Sequence, residues 1–119
     1  MPILVSHGGS ASNPAYADGP RLACSAGLEI LNRHESALDA VIAATQILED
    51  DERFNAGTGS NLRLDGTTIQ MDASCMTSDG DFAAVAAIER VRNPVAVARR
   101  LLDTPHVLLV GDGATTYAR

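Results

Sequence analysis

Three short segments of this chain carry residue types that could do chemistry. Residues 7–9 (His-Gly-Gly) follow one apolar run, and residues 111–113 (Gly-Asp-Gly) follow another. Turns that follow strands are common ligand sites in α/β proteins, and glycines let backbone N–H groups approach a ligand or an oxyanion closely. The third segment is the acidic run 49–52, whose oxygen atoms suit a hard cation.

Each segment also fits an ordinary structural role. A solvated histidine in a plain turn would explain residues 7–9. The Gly111-x-Gly113 turn resembles the start of a dinucleotide-binding fingerprint, but Thr116 stands where the third glycine belongs. The acidic run lacks the EF-hand pattern and fits a solvated helix end. Because its charges would oppose the dipole of a helix ending there, we expect a compensating group, and a bound cation is one candidate.

Composition excludes several functions. The 119 residues carry 9 basic and 15 acidic side chains, a net charge of −6, and no lysine. So few cations argue against nucleic-acid binding, and a lysine nucleophile within the chain is excluded. Aromatic residues make up 3 %, too few for a base-stacking surface. The length and the 45 % hydrophobic content predict one folded domain.

Cysteine and histidine are too scattered for a zinc site. Cys24 and Cys75 lie far apart, and His7, His34 and His106 form no ligand cluster with them. We interpret the two cysteines as free, buried or half-buried thiols. The N-terminus has no signal-peptide pattern, and no apolar run approaches the ~20 residues of a membrane span. These features predict a cytoplasmic protein without membrane contact.

Hydrophobic periodicity predicts alternating helices and strands that would position these segments. The predicted strands span residues 3–6, 67–77, 82–89 and 107–110, and the predicted helices span 21–32, 37–49, a segment after Asn93 and a segment after 113. Ser36 and Asp39 have the spacing of a near capping box. Asn93 and Pro94 fit an N-cap followed by a proline at the first helical position.

The predicted strands and helices indicate a mixed sheet with helices on one face. Strands 67–77 and 82–89 are expected to pair as an antiparallel hairpin. Both faces of 67–77 carry small or moderately polar side chains, which suggests that the second face is covered by something outside this chain. Composition predicts that strand 107–110 is fully buried. Helix 37–49 is expected to bury one stripe of residues, formed by Leu38, Val41, Ile42, Thr45 and Leu48.

Six segments, taken in order, carry a resemblance to a known family. They are residues 5–9 (VSHGG), 48–59 (LEDDERFNAGTG), 65–66 (DG), 71–76 (MDASCM), 92–99 (RNPVAVAR) and 105–114 (PHVLLVGDGA). The chain resembles the α subunit of the plant-type L-asparaginase/isoaspartyl peptidase family of N-terminal nucleophile (Ntn) hydrolases, from Ile3 to Ala118. Each motif alone is weak, whereas the FNAG-x-G block within the full series is specific.

The resemblance implies an α+β fold, a four-layer αββα sandwich of which residues 1–119 supply about half. It implies a precursor that cleaves itself, a nucleophilic Thr at the new N-terminus of a separate β subunit, and an (αβ)2 assembly. The implied activity is hydrolysis of the side-chain amide of L-asparagine and of β-aspartyl (isoaspartyl) dipeptides, without an organic cofactor. An N-terminal amine, with a pKa near ~8, can act as the base for its own hydroxyl.

The resemblance assigns supporting residues, rather than the nucleophile, to this chain. Asn55 matches an asparagine close to the nucleophile, and a second set, His7, Gly8 and Gly9, matches a glycine turn that influences self-cleavage. Residues 48–58 match a sodium-binding loop whose main-chain carbonyl ligands would belong to Leu48, Glu49, Asp51, Phe54, Ala56 and Thr58. Two alternatives stay open: a nucleotide-binding module built on the Gly111-x-Gly113 turn, and a catalytically incomplete interaction domain.

Overall fold

The structure is a computed structural model that describes all 119 residues, Met1–Arg119. Four helices and three strands are joined by loops that include two 3-10 turns. The helices are α1 (Asp18–Asn32), α2 (Ala37–Glu49), α3 (Pro94–Leu101) and α4 (Gly111–Ala118), the strands are β1 (Met71–Met76), β2 (Phe82–Ile88) and β3 (Leu108–Val110), and the 3-10 turns are Pro14–Tyr16 and Gly57–Gly59. None of the helices is both long and apolar enough to cross a membrane.

Helices α1 and α2 form a hairpin whose contact surface consists of small residues. A Cβ on Gly27 of α1 would lie 2.9 Å from the carbonyl oxygen of Ala40 in α2, so the two helices approach more closely than larger side chains would allow. α1 begins at Asp18 rather than at the predicted residue 21. The predicted bounds of α2 are confirmed, and so is its cap, because Ser36 Oγ accepts the N–H of Asp39 at 3.0 Å.

The prediction of a first strand over residues 3–6 is wrong. The segment has no strand structure, and Ile3 and Val5 are 84 % and 86 % exposed. Leu4 between them contacts Gly27 of α1. A strand needs a neighbour for its backbone N–H and C=O groups, and the sheet of this chain consists of β1, β2 and β3 alone. The apolar pattern of residues 3–6 is present, but no strand of this chain pairs with it.

The predicted mixed sheet and its central hairpin are confirmed. β1 pairs antiparallel with β2, and β2 pairs parallel with β3. β1 starts later than the predicted residue 67 because Asp65 Oδ1 accepts the N–H groups of Thr67 and Thr68 in a turn, each at 2.9 Å. A β-bulge interrupts the hairpin opposite Asp72. There Ala87 has φ 50° and donates its N–H to Asp72 Oδ1 at 2.8 Å.

One face of the sheet carries the hydrophobic core. Met71, Val85 and Ile88 pack there against apolar side chains of α2, α3 and α4. Cys75 is buried on this face and Cys24 is half-buried in α1, and both thiols are free, as interpreted from the sequence. Desolvation raises the pKa of the Cys75 thiol. The helices therefore cover one face of the sheet, as predicted.

The opposite face of the sheet is open. Its large apolar side chains include Met76 of β1, Phe82 of β2, and Leu108 and Val110 of β3. The prediction that strand 107–110 is fully buried is therefore wrong for this chain, since Leu108 and Val110 are 52 % and 55 % exposed. The molecule measures 45 × 40 × 20 Å. A thickness of 20 Å fits one sheet and one helix layer, because packed layers lie roughly 10 Å apart.

Candidate functional site

A cavity of about 750 Å³ lies between the N-terminal segment, α2 and the loop that follows α2. Its wall includes His7, Gly8, Gly9 and Asn55, which are far apart in the sequence. Of the residues assigned to the sodium loop, the wall also takes in three, namely Leu48, Phe54 and Ala56, whereas Glu49, Asp51 and Thr58 lie outside it. The fold therefore brings the glycine turn and the FNAG segment to one site.

The cavity also explains why the predicted buried stripe of α2 is partly wrong. Ile42 is buried in the core, but Val41 and Thr45 are exposed and face the cavity. Ala40 and Ala44 are the buried positions on the side of α2 that meets Gly27. Because α1 approaches so closely, Ala40 and Ala44 form the helix contact, while Val41 and Thr45 turn toward the cavity.

The side chain of Asn55 is oriented by one backbone hydrogen bond. Asn55 Oδ1 accepts the N–H of Asn61 at 2.9 Å. Its acceptor is therefore occupied, whereas the two N–H donors of Nδ2 make no hydrogen bond within the chain. Sequence reasoning missed Asn61, whose only signal is a polar position shortly after the FNAG block. The arrangement leaves Asn55 as a hydrogen-bond donor at the cavity wall.

Glycine is required at positions 8 and 9 for two different structural reasons. Gly9 has φ 96°, a conformation that favours glycine. A Cβ on Gly8 would lie 2.9 Å from Cε1 of the Phe54 ring, so this position allows a close contact. His7 is exposed at the cavity wall. With no side chain at positions 8 and 9, backbone N–H groups of this turn are accessible to a small ligand.

The acidic run at the end of α2 begins with a buried carboxylate. Glu49 is 3 % exposed, and its Oε1 accepts the N–H of Val95 in the first turn of α3 at 2.9 Å. Its Oε2 is buried without a hydrogen-bond partner. Desolvation raises the pKa of the Glu49 carboxyl. Asn93, predicted to cap α3 with its side chain, does not do so, and Glu49 provides the acceptor instead.

The next two carboxylates are paired with arginines. Asp50 accepts hydrogen bonds from Arg92 at 2.9 and 3.0 Å and from Asn93 Nδ2 at 3.0 Å. Asp51 binds the guanidinium of Arg53, and these arginine bonds hold the pKa of both aspartates below its usual range. The expected compensation at this helix end is thus supplied by protein groups. The charge of the acidic run is therefore no longer a reason to expect a cation.

The main chain of the same loop has carbonyl groups that could hold a cation. The carbonyls of Leu48, Glu49 and Thr58 accept no backbone hydrogen bond, unlike those of the other assigned ligands, Asp51, Phe54 and Ala56. A Cβ on Gly57 would overlap the carbonyl oxygen of Glu49, and one on Gly59 would overlap that of Phe54. The two glycines therefore allow the backbone of the loop to pack closely against these carbonyl groups. No group of three His, Cys, Asp or Glu side chains could hold a metal ion. The donor set that fits is main-chain oxygen, which suits a hard cation.

The Gly111-x-Gly113 turn lacks the packing of a dinucleotide site. Gly111 has φ 58° and begins α4, and a Cβ on either glycine would meet nothing within 4 Å. Thr116 stands where a glycine would allow close helix–strand packing, and it is exposed. The neighbouring cavity of about 310 Å³ has Glu89 and Asp112 in its wall but neither glycine. No observation here favours the nucleotide-binding alternative.

Comparison with known proteins identifies the family. Residues 2–119 match the model of the family described as Asparaginase. The chain is 46 % identical to the plant-type L-asparaginase of Thermococcus kodakarensis, over 100 % of this chain and 41 % of that protein. It is 44 % identical to the plant-type L-asparaginase of Pyrococcus furiosus over the same shares of both proteins. It is also 42 % identical to the isoaspartyl peptidase/L-asparaginase of Bos taurus, over 98 % of this chain and 40 % of that protein.

The matches cover all or nearly all of this chain but only part of each relative. The chain spans about two fifths of the length of the curated relatives that it matches. The family model, in contrast, covers the chain from its second residue to its last. The chain therefore belongs to the asparaginase family, to which its resemblance in motifs and spacing had pointed.

Proposed function

We propose that this chain is the α-subunit part of an asparaginase/isoaspartyl peptidase. Its substrates would be L-asparagine, through the side-chain amide, and β-aspartyl dipeptides, through the isopeptide bond. Family membership and the cavity shared by Asn55 and the 7–9 turn support this proposal. The cavity wall has hydrogen-bond donors but contains neither a lysine nor a cysteine. The wall does contain the hydroxyl groups of Ser6, Ser10, Ser12 and Thr45, but we place the nucleophile on a separate β subunit, as the resemblance to the family implies.

The proposed nucleophile is the N-terminal Thr of a β subunit cut from the same precursor. Its own α-amino group would take the proton from its hydroxyl, which then attacks the amide carbon. Charge develops on the carbonyl oxygen in the resulting tetrahedral intermediate, and preorganised N–H donors stabilise such an oxyanion. The Nδ2 group of Asn55 and the backbone N–H groups near Gly8 and Gly9 are this chain's donors to the site.

The open face of the sheet supports the proposal that a second subunit completes the fold. Apolar side chains at Met76, Phe82, Leu108 and Val110 leave that face without a covering layer. A second sheet packed on it would complete the four-layer αββα sandwich and bury these side chains. The remaining three fifths of a relative's length could supply that layer, and two such αβ units would form the (αβ)2 assembly.

Sodium is the proposed ion for the 48–58 loop. The carbonyls of Leu48, Glu49 and Thr58 that accept no backbone hydrogen bond support this assignment. The cation would stabilise the loop next to Asn55 rather than take part in the reaction. In the complete protein, the melting temperature is expected to rise with NaCl, relative to choline chloride at equal ionic strength. An equal rise with both salts would contradict the proposal.

One purification tests the proposed activity and its origin together. The complete gene product is expected to separate into two chains on denaturing electrophoresis. The N-terminal chain should contain residues 1–119, and the C-terminal chain should begin with Thr. Ammonia release from L-asparagine and cleavage of a β-aspartyl dipeptide measure the activity. A single uncut chain that hydrolyses neither substrate would contradict the proposal and would favour the interaction-domain alternative. Cytoplasmic location remains a prediction.

A further inference from the structure

Arg53 lies on the cavity wall and joins two distant segments of the chain. Its guanidinium binds the Asp51 carboxylate through Nε at 2.9 and 3.1 Å and through Nη2 at 2.6 Å. It binds the Asp18 carboxylate through Nη1 at 3.0 Å and Nη2 at 2.8 Å. Asp18 begins α1, whereas Arg53 lies in the loop after α2, so one side chain ties this loop to the first helix. A planar guanidinium can hold two carboxylates in this way, and a lysine ammonium cannot.

The same guanidinium lies against two aromatic rings. Its Cζ is 5.3 Å from the ring centroid of Tyr16 and 5.7 Å from that of Phe54. The two rings contact each other edge to face, with centroids 6.3 Å apart. Phe54 is 3 % exposed. Because Phe54 follows Arg53 directly in the chain, fixing the guanidinium also restricts where the Phe54 ring can lie.

The Phe54 ring fills a gap between two glycines. One edge of the ring lies against Gly8 in the cavity turn, and the other lies against Gly19 in the first turn of α1. A Cβ on Gly19 would overlap the ring, and one on Gly8 would lie 2.9 Å from it. Asn55 is the next residue after Phe54 and is on the cavity wall. The ring therefore connects the two groups of donors that face the cavity.

We infer that Arg53 is a positioning residue: by clamping Asp18 and Asp51 it seats the Phe54 ring between Gly8 and Gly19, and so sets the distance between the glycine turn and Asn55. The consequence for catalysis rests on the proposed function. Donors that stabilise a transition state must be held within a fraction of an ångström, since a displacement of about 1 Å can cost about 100-fold in rate.

The first test compares kcat among arginine variants of the complete protein. Arg53→Met removes the charge and the planar fork, and Arg53→Lys keeps the charge alone. Both are expected to lower kcat for L-asparagine about 10- to 100-fold while KM changes by less than about twofold. Arg92→Met is the matched control, because Arg92 pairs with Asp50 in the same acidic run but contacts neither ring nor cavity. This control is expected to keep kcat within about twofold of the wild type.

The second test does not depend on activity. Amide hydrogen exchange is followed at Ser12 and Asn61, whose N–H groups donate to Gly9 O and to Asn55 Oδ1. Exchange at peptides covering these two residues is expected to accelerate in Arg53→Met and to stay unchanged in Arg92→Met. Wild-type kcat in Arg53→Met would overturn the inference. So would a loss of activity that matches the loss of folded protein without faster exchange at Ser12 and Asn61. If the wild-type protein hydrolyses neither substrate, the proposed function fails, and exchange at these two residues still decides whether Arg53 positions the turn.

Discussion

The two ends of α2 are held in opposite ways. At the N-terminal end, Ser36 Oγ accepts the Asp39 N–H at 3.0 Å and also lies 2.7 Å from Asp39 Oδ2, all within one helical turn. At the C-terminal end, Glu49 caps α3 through Val95, and the residues after it bind groups on α1 and before α3. The first end is stabilised locally, whereas the second joins distant elements.

This difference shows where the chain can tolerate change. A local cap serves one helix, so its loss leaves the surrounding packing in place. The C-terminal end connects α2 to α3 through Glu49 and to α1 through Arg53, and it leads into the FNAG segment at the cavity. Substitution of Glu49 is expected to lower stability more than substitution of Ser36, and substitution of Arg53 is expected to disturb the candidate site. Substitution of Ser36 is expected to leave that site unchanged.

The largest effect is expected at Glu49. Glu49→Ala should lower the free energy of unfolding by about 2–4 kcal/mol, because it leaves the Val95 N–H without an acceptor and opens a cavity. Urea denaturation of the complete protein measures the change. Glu49→Gln keeps an acceptor and most of the volume and serves as the control. Equal losses in both variants would mean that the hydrogen bond to Val95 is not what matters.

The pH dependence of stability should also depend on Glu49. Its pKa is raised in the folded state, so its stabilising contribution is complete below the ordinary value of 4.5 and is lost as pH rises through the folded value. Glu49→Gln does not titrate, so its stability relative to the wild type should increase with pH across that window. The aspartates with lowered pKa act in the opposite direction but equally in both proteins. Urea midpoints at several pH values measure the difference, and a constant difference would contradict the prediction.

A smaller loss is expected at the local end. Ser36→Ala should cost about 1 kcal/mol, since the Asp39 N–H loses its side-chain acceptor but water can replace it at this exposed position. Ser36→Thr should retain most of the stability. Urea denaturation measures both, and kcat for L-asparagine should stay at the wild-type level. If Ser36→Ala lost activity while fully folded, the N-terminal end of α2 would also affect the candidate site, and the contrast between the two ends would be wrong.

The smallest effect is expected at Arg92. Its side chain is 74 % exposed, so its bond to Asp50 is screened by water and Arg92→Met should cost about 0.5 kcal/mol or less. The small difference should shrink further at high salt. Unfolding at low and high NaCl tests this. A loss as large as that of Glu49→Ala would show that the exposed pair contributes as much as the buried carboxylate.

Sequence patterns predicted those parts of the fold that depend on neighbouring residues. The Ser36 cap, the antiparallel hairpin of β1 and β2, and the helix that starts at Pro94 are all present. Predictions failed where the outcome depends on a partner. Residues 3–6 have no adjacent strand, and residues 107–110 are exposed because nothing in this chain covers the outer face of the sheet. Apolar composition indicates that a segment can be buried but not whether a covering layer is present.

The amino-acid sequence was enough to establish the family, the order of the elements from α1 to α4, and the segments proposed for the candidate site, but the strand that it predicted over residues 3–6 is absent. It could not show that residues 7–9 and Asn55 share a cavity, or which groups neutralise the acidic run. With nine arginines and fifteen acidic residues, many pairings are compatible with the sequence, and spacing does not choose among partners on different elements. That choice follows from the close packing of α1 on α2, which brings Asp18 to Arg53 and seats Phe54 between two glycines.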